Sequence, residues 1–167
     1  KFSNLVNWPY VVNRWLGGTL TNFKIIKERL NYFEALKAKK EKGELAKYTK
    51  KEQLEFSEEL KKLERKFEGL LKLDRTPDAI FIVDSHLEKL AVDEAGKMGV
   101  TSVAITDTNA DPHLVDYPIP ANDDAVGSIK LIVKAIMDAW IEGRQIGIKA
   151  EEKTAKEVAD KVQKAEE

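Results

Sequence analysis

The sequence contains no cysteine, so neither a disulfide nor a thiolate metal site is available to its 167 residues. Histidine is almost as scarce: His86 and His113 are the only two, and neither has a nucleophile or a ligand-spaced partner nearby in sequence. No apolar run reaches the ~20 residues a membrane-spanning helix needs, and no signal-peptide pattern opens the chain. The phosphate cradles G-x-x-x-x-G-K-[ST] and G-x-G-x-x-G after a strand are missing, and so is the nucleophile elbow G-x-S-x-G. Together these absences leave no credible catalytic set. There is no internal repeat. The formal net charge is only −1 although 34% of residues are charged, so any nucleic-acid partner must be sought in how the charge is distributed. The chain opens on Lys1 in mid-pattern, which reads as part of a longer protein whose N-terminal portion is absent.

The least generic stretch is Arg14–Phe23, RWLGGTLTNF. Gly17 and Gly18 let the backbone turn where a side chain would clash. Thr19, Thr21 and Asn22 are N-cap residue types placed before a helical apolar pattern. Arg14 and Trp15 are a cation and a flat ring, a pair that accepts phosphates and bases. The competing reading makes the stretch a helix-start loop with Trp15 packed into the body. Before it, Tyr10-Val11-Val12 can form a short strand, with Trp8 and Tyr10 as packing residues.

From Thr21 to about Lys42 the apolar residues Phe23, Ile26, Leu30 and Phe33 recur at helical spacing, and Gly43 marks a stop. Thr49 with Glu52 forms a capping box. Phe56, Leu60, Leu63, Phe67 and Leu70 then step by four, three, four and three, a coiled-coil spacing. Two such helices joined by a short turn must bury their seams on each other. The expectation is an antiparallel helical hairpin roughly 30 Å long.

Arg75-Thr76-Pro77-Asp78 ends the hairpin, and the period changes. Ala79–Val83 reads as a strand covered on both faces. Ser85 and Glu88 suggest a second capping box, opening a helix from about His86 to Met98 with Leu87, Leu90, Ala91 and Ala95 buried. Val103–Thr106 is the next strand. Tyr117-Pro118-Ile119-Pro120 reads as an edge strand, because two prolines cannot serve a central ladder. Asn122-Asp123-Asp124 caps a helix from about Ala125 to Glu142 that buries Ile129, Ile132, Val133, Ile136 and Trp140. This order predicts an α/β fold with a parallel sheet. The expected organisation is 1–20 as body and junction, 21–75 as the hairpin, 76–148 as the α/β body, and 149–167 as a charged, flexible tail.

Charge is uneven along this plan. Segment 21–75 carries 16 Lys and Arg against 11 Asp and Glu. Its tip, residues 37–51, holds seven lysines (37, 39, 40, 42, 47, 50 and 51) against Glu41 and Glu44. A lysine-rich projecting tip is the footprint of a phosphate-backbone partner, as well as an ordinary solvated face. At the strand ends stand Asp84, Asp107, Asn109 and Asp123. Asp107 and Asp123 can meet there and hold a hard cation, but helix caps and turn-forming side chains are the favoured roles, so no metal and no cofactor is expected.

The phrases RWLGGTLTNF at 14–23, PDAIFIVD at 77–84, ITDTNADP at 105–112 and IPANDDAVGSIKLI at 119–132 occur in this order. They resemble the family of the second protein of the small ribosomal subunit, in its bacterial and organellar form, and the resemblance covers most of residues 8–145. It implies a flavodoxin-like α/β body with an inserted helical hairpin. It also implies a structural, non-catalytic role in the ribosome, with small-subunit ribosomal RNA and neighbouring ribosomal proteins as partners. The setting would be cytoplasmic, with an organellar ribosome left open, no membrane and no homo-oligomer. By match to the family, RNA contact falls on Arg14, Trp15, Gly17, Gly18, Thr19, Thr21, Asn22, Lys24, Lys27 and Arg29. Two other classes compete: a metal- or metabolite-binding α/β protein using the strand-end aspartates, and a protein-docking adaptor that works without RNA.

Overall fold

A computed structural model of the chain describes the backbone of residues 8–166 and the side chains of residues 8–147. The expected placement of residues 1–7 in the body, and the side chains of the C-terminal tail, lie outside that range.

The hairpin forms as its periodicity dictates. Helix α1 spans Phe23–Glu41. Gly43, at a positive φ of 71°, leads into a short 3₁₀ turn at Glu44–Lys47. Helix α2, Lys50–Phe67, starts on the expected capping box, with the Thr49 hydroxyl accepting from Glu52 N–H and the Glu52 carboxylate accepting from Thr49 N–H. Ile26, Leu30, Phe33 and Leu36 pack on Leu60, Leu63, Phe67, Leu70 and Leu73 in one buried cluster. Lys27 meets Asp74 at 2.8 Å near the base, and Tyr32 meets Glu59 at 3.1 Å further out, so the helices run antiparallel.

The leading segment does not form the strand expected at Tyr10–Val12. It crosses the base of the hairpin instead, with Tyr10 N–H donating to Gly69 O (2.9 Å) and the Asn13 amide to Arg65 O (2.6 Å). A single carbonyl in a 3₁₀ turn offers no ladder, so no strand can propagate there. The crossing requires glycine at position 69, because a Cβ built there would lie 2.1 Å from Tyr10 O and 2.7 Å from the Tyr10 ring. Gly69→Ala is therefore expected to push the two segments apart and cost about 1–3 kcal/mol, read as a lower urea midpoint at unchanged slope. An unchanged midpoint would mean that this crossing contributes nothing to stability.

The body holds three parallel strands in the order β1 (Ala79–Ile82), β2 (Thr101–Thr106), β3 (Tyr117–Pro120). Helix α3 (Lys89–Met98) connects β1 to β2. Pro118 and Pro120 sit on the outer strand β3, opposite Ala104 and Thr106 of β2, as two missing N–H donors demand. β2 and β3 are also stitched at their starts, where the Asp116 carboxylate accepts from the backbone N–H and hydroxyl of Ser102, both at 2.8 Å.

Three expectations for the body fail. β1 is not covered on both faces: Ile80 and Ile82 pack against α3, while Ala79 is exposed and Phe81 half-buried. Ser85 does not cap α3. Asp84 accepts from the N–H groups of His86 (2.9 Å) and Leu87 (2.7 Å), forming a turn that delays the helix to Lys89. Leu87, left in the turn, and Leu90 are exposed, while Val92 and Glu94 are buried beside Ala91 and Ala95. The last helix, α4, runs from Val126 to Glu166 without the stop expected near Glu142. Ile129, Ile132, Val133 and Ile136 are only half-buried on it, Met137 is its buried residue, and Trp140 is exposed, edge-on to Trp8 and beneath Arg144. Asn122, as expected, accepts from the N–H groups of Asp124 and Ala125 at the start of this helix.

Candidate nucleic-acid interface

The stretch Arg14–Phe23 leads from the hairpin base into α1, and one buried carboxylate holds its shape. Glu94, on α3, is 3% exposed. Its carboxylate accepts from the backbone N–H of Gly18 (2.7 Å), Leu20 (2.9 Å) and Thr21 (3.2 Å), and from the Thr21 hydroxyl (3.3 Å). These three donors lie in the turn just before the helix, ahead of Asn22 at its cap position. Three N-cap residue types stand there, yet Asn22, at the cap position, makes no side-chain cap bond. The partner comes from another element, more than 70 residues away. Burial pushes the Glu94 pKa up, but the three backbone donors, with help from the Trp15 indole, outweigh it and hold the group below the ordinary value of 4.5.

Around this anchor the loop is fixed residue by residue. Gly18 has φ +90°, a conformation that L side chains rarely adopt. Thr19 is buried, and its hydroxyl donates to Leu16 O at 2.6 Å. Leu20, 1% exposed, packs with Ala95 and Val100. Trp15 bridges that cluster and the neighbouring one of Ile82, Ala91, Val92, Ala104 and Val115. Its indole N–H is buried close to Glu94 but not in hydrogen-bonding geometry.

The ten residues singled out in the sequence thus divide into two groups. Trp15, Gly18 and Thr19 turn inward or are committed to internal bonds, and Thr21, though exposed, spends both its N–H and its hydroxyl on Glu94. Arg14, Gly17, Thr21, Asn22, Lys24 and Arg29 are exposed, and Lys27 is half-buried. Lys27 is bound to Asp74 and reaches Leu73 O. On a helix turning ~100° per residue, Lys24 points away from the hairpin seam and Arg29 stands about 140° round from Lys24, so α1 does not bring both onto one flat face. The tip lysines 37, 39, 40, 42, 47, 50 and 51 are all exposed. Lys37, Lys40 and Lys61 also line a groove of about 320 Å³ floored by Phe33 and Leu60.

Glu94 is the residue that sequence reasoning missed. Its signal was an acid on the apolar face of the helix, three residues after Ala91 and next to Ala95. At the strand ends, Asp84 and Asp107 form turns, the latter accepting from Thr108 N–H at 2.6 Å. Asp123 does not serve as a cap; it is buried, and one of its oxygens has no partner. Among the described residues no helix is long and apolar enough to cross a membrane.

Comparison with known proteins adds a family. The sequence pattern of the family described as Ribosomal protein S2 matches residues 1–143. The small ribosomal subunit protein uS2 of Roseiflexus castenholzii is 54% identical over 135 residues, covering 81% of this chain and 51% of that protein. The uS2 protein of Dictyoglomus turgidum is 50% identical over 137 residues (82% and 56%). That of Coprothermobacter proteolyticus is 43% identical over 164 residues (95% and 61%). The chain therefore spans between about half and three-fifths of the length of these relatives.

Proposed function

The chain belongs to the Ribosomal protein S2 family, and from that membership we propose that it is a non-enzymatic structural component of the small ribosomal subunit. In this reading it binds small-subunit ribosomal RNA and neighbouring ribosomal proteins in the cytoplasm and supports translation. The observation that carries the reading is the family match over residues 1–143. The α/β body is flavodoxin-like in this reading, its three strands a part of a larger sheet, and the hairpin packs as a two-stranded coiled coil. The chain acts as a single copy within the particle.

RNA contact is assigned to Arg14, Gly17, Thr21, Asn22 and Lys24, with Lys27 and Arg29 on the flanks of α1. Trp15, Gly18 and Thr19 build the loop that presents them. Arginine and lysine fix orientation on phosphates with little base readout, and RNA shape supplies the specificity. The double substitution Arg14→Glu, Lys24→Glu tests this on small subunits stripped of their own copy. Binding is expected to weaken, and the slope of log K against log salt to flatten by roughly 1.5. Binding and slope unchanged from wild type would move the RNA surface elsewhere.

A further inference from the structure

Three side-chain oxygens lie buried without a hydrogen-bond partner at the carboxyl ends of the three strands. They are Ser85 Oγ after β1, Thr106 Oγ1 at the end of β2, and Asp123 Oδ2 after β3. Each residue is more than nine-tenths buried: Ser85 is 8% exposed, Thr106 7% and Asp123 9%. Because the strands are parallel, adjacent and in the order β1-β2-β3, these oxygens belong to one end of the sheet, where open α/β sheets gather their ligands. A buried carboxylate oxygen with no donor is costly, and the described ion pairs, Lys27–Asp74 and Arg75–Asp78, both lie elsewhere. Instead Asp123 is surrounded by like charge. Burial raises its pKa, and the charges of Asp84, Asp107 and Asp124 raise it further. Asp84 and Asp107 each spend one oxygen on turn N–H groups.

We propose that this end of the sheet binds one hydrated divalent cation, with Asp123 as its direct carboxylate ligand, Thr106 and Ser85 as hydroxyl partners, and Asp84 and Asp107 holding its water shell. The cation supplies the positive charge that the orphaned Asp123 oxygen lacks. Among the described residues no three carboxylate or imidazole groups converge to cage a metal by themselves, which sets the chemistry. One or two carboxylates with several retained waters suit Mg²⁺, whereas an all-oxygen donor set disfavours zinc. The site stands apart from the Glu94 loop and does not rest on the RNA reading.

Titrating Mn²⁺, as a Mg²⁺ substitute, into the metal-free chain tests it by calorimetry and electron paramagnetic resonance. One Mn²⁺ is expected per chain, displaced by excess Mg²⁺, and Mg²⁺ alone should raise the melting temperature. Asp123→Asn should abolish binding, Asp107→Asn should weaken it roughly 10-fold, and Asp138→Asn on the exposed side of α4 should leave it unchanged. If Asp123→Asn fails to fold by circular dichroism, Asp107→Asn decides the matter. Absence of stoichiometric Mn²⁺ binding to the wild-type chain overturns the proposal, as does binding indifferent to both variants. A melting temperature insensitive to Mg²⁺ but raised by Asp123→Asn would also overturn it, assigning a proton rather than a metal to Asp123.

Discussion

Glu94→Ala is expected to destabilise the chain by about 3–5 kcal/mol and to free the Arg14–Phe23 loop. The substitution strands the N–H groups of Gly18, Leu20 and Thr21, which now share one carboxylate. Hydrogen bonds to a charged acceptor are worth roughly 1.5–3 kcal/mol each, and a buried donor left unpaired costs about 1–3 kcal/mol. The sum is held down by two effects: the cost of burying the carboxylate is recovered, and water reaches the part-buried Gly18 and Thr21. Glu94→Gln should cost less, about 2 kcal/mol, because its amide oxygen still accepts on one side while its NH₂ group faces a donor on the other. Urea denaturation measures the loss. Faster amide exchange confined to residues 16–22 would locate it.

The same pair of proteins gives a pH dependence. A carboxylate whose folded pKa lies below the ordinary 4.5 stabilises the fold fully above that value. The stabilisation is lost as pH falls below 4.5 through the depressed folded value. Asp116, held down by its bonds to Ser102, contributes to the acid limb as well, so the informative quantity is wild type minus Glu94→Gln. That difference is expected to be constant from pH 5 to 7 and to shrink below 4.5. A difference that is flat through the acid range would mean that the charge on Glu94 is unimportant to the loop.

Phe33→Ala should destabilise the chain by a comparable amount, about 3–5 kcal/mol. Phe33 is 1% exposed and sits in the middle of the α1 seam, with Leu30 and Leu36 on its own helix and Leu60 and Leu63 across from it. The helices cannot collapse onto an alanine without shifting along their whole length, so a cavity remains. It would open into the groove beside it, which Phe33 and Leu60 already floor. Entry of water through that groove would leave the cost toward the lower end of the range. The checks are the urea midpoint and protection from exchange in α1 and α2. A loss under 1 kcal/mol would show that the seam adapts freely and that pairing of the helices does not depend on this ring.

What could be read ahead of the structure was whatever depends on near neighbours. The Thr49–Glu52 capping box needs only residues three apart. The seam of Leu60, Leu63, Phe67 and Leu70 needs only helical spacing. The edge position of β3 follows from two prolines that lack N–H groups. What could not be read depends on partners far along the chain. Thr19, Thr21 and Asn22 looked like caps, but Asn22 makes no side-chain cap bond, and Glu94 from another helix holds the turn that precedes it. Tyr10 looked like strand, but its N–H goes to Gly69, and the missing Cβ at that glycine is what lets the backbones cross. Ser85 looked like a cap, but Asp84 takes the N–H groups of His86 and Leu87 into a turn, α3 starts only at Lys89 without a side-chain cap, and Leu87 and Leu90 are exposed. Of the residues expected at the RNA surface, Arg14 and Lys24 are exposed, and the sequence supplied their charge but not their surroundings. It could not show that Trp15 bridges two clusters of the core, or that Lys27 is tied to Asp74.

The central claim is that this chain works as part of the small ribosomal subunit through RNA. Sedimentation of the tagged chain from bacterial lysate, with and without RNase, tests it most directly. The account predicts migration with small subunits that is lost on RNase digestion, and weaker migration for the Arg14→Glu, Lys24→Glu variant. Migration as a free small protein under both conditions would contradict it, as would association with subunit proteins that survives complete digestion of the RNA.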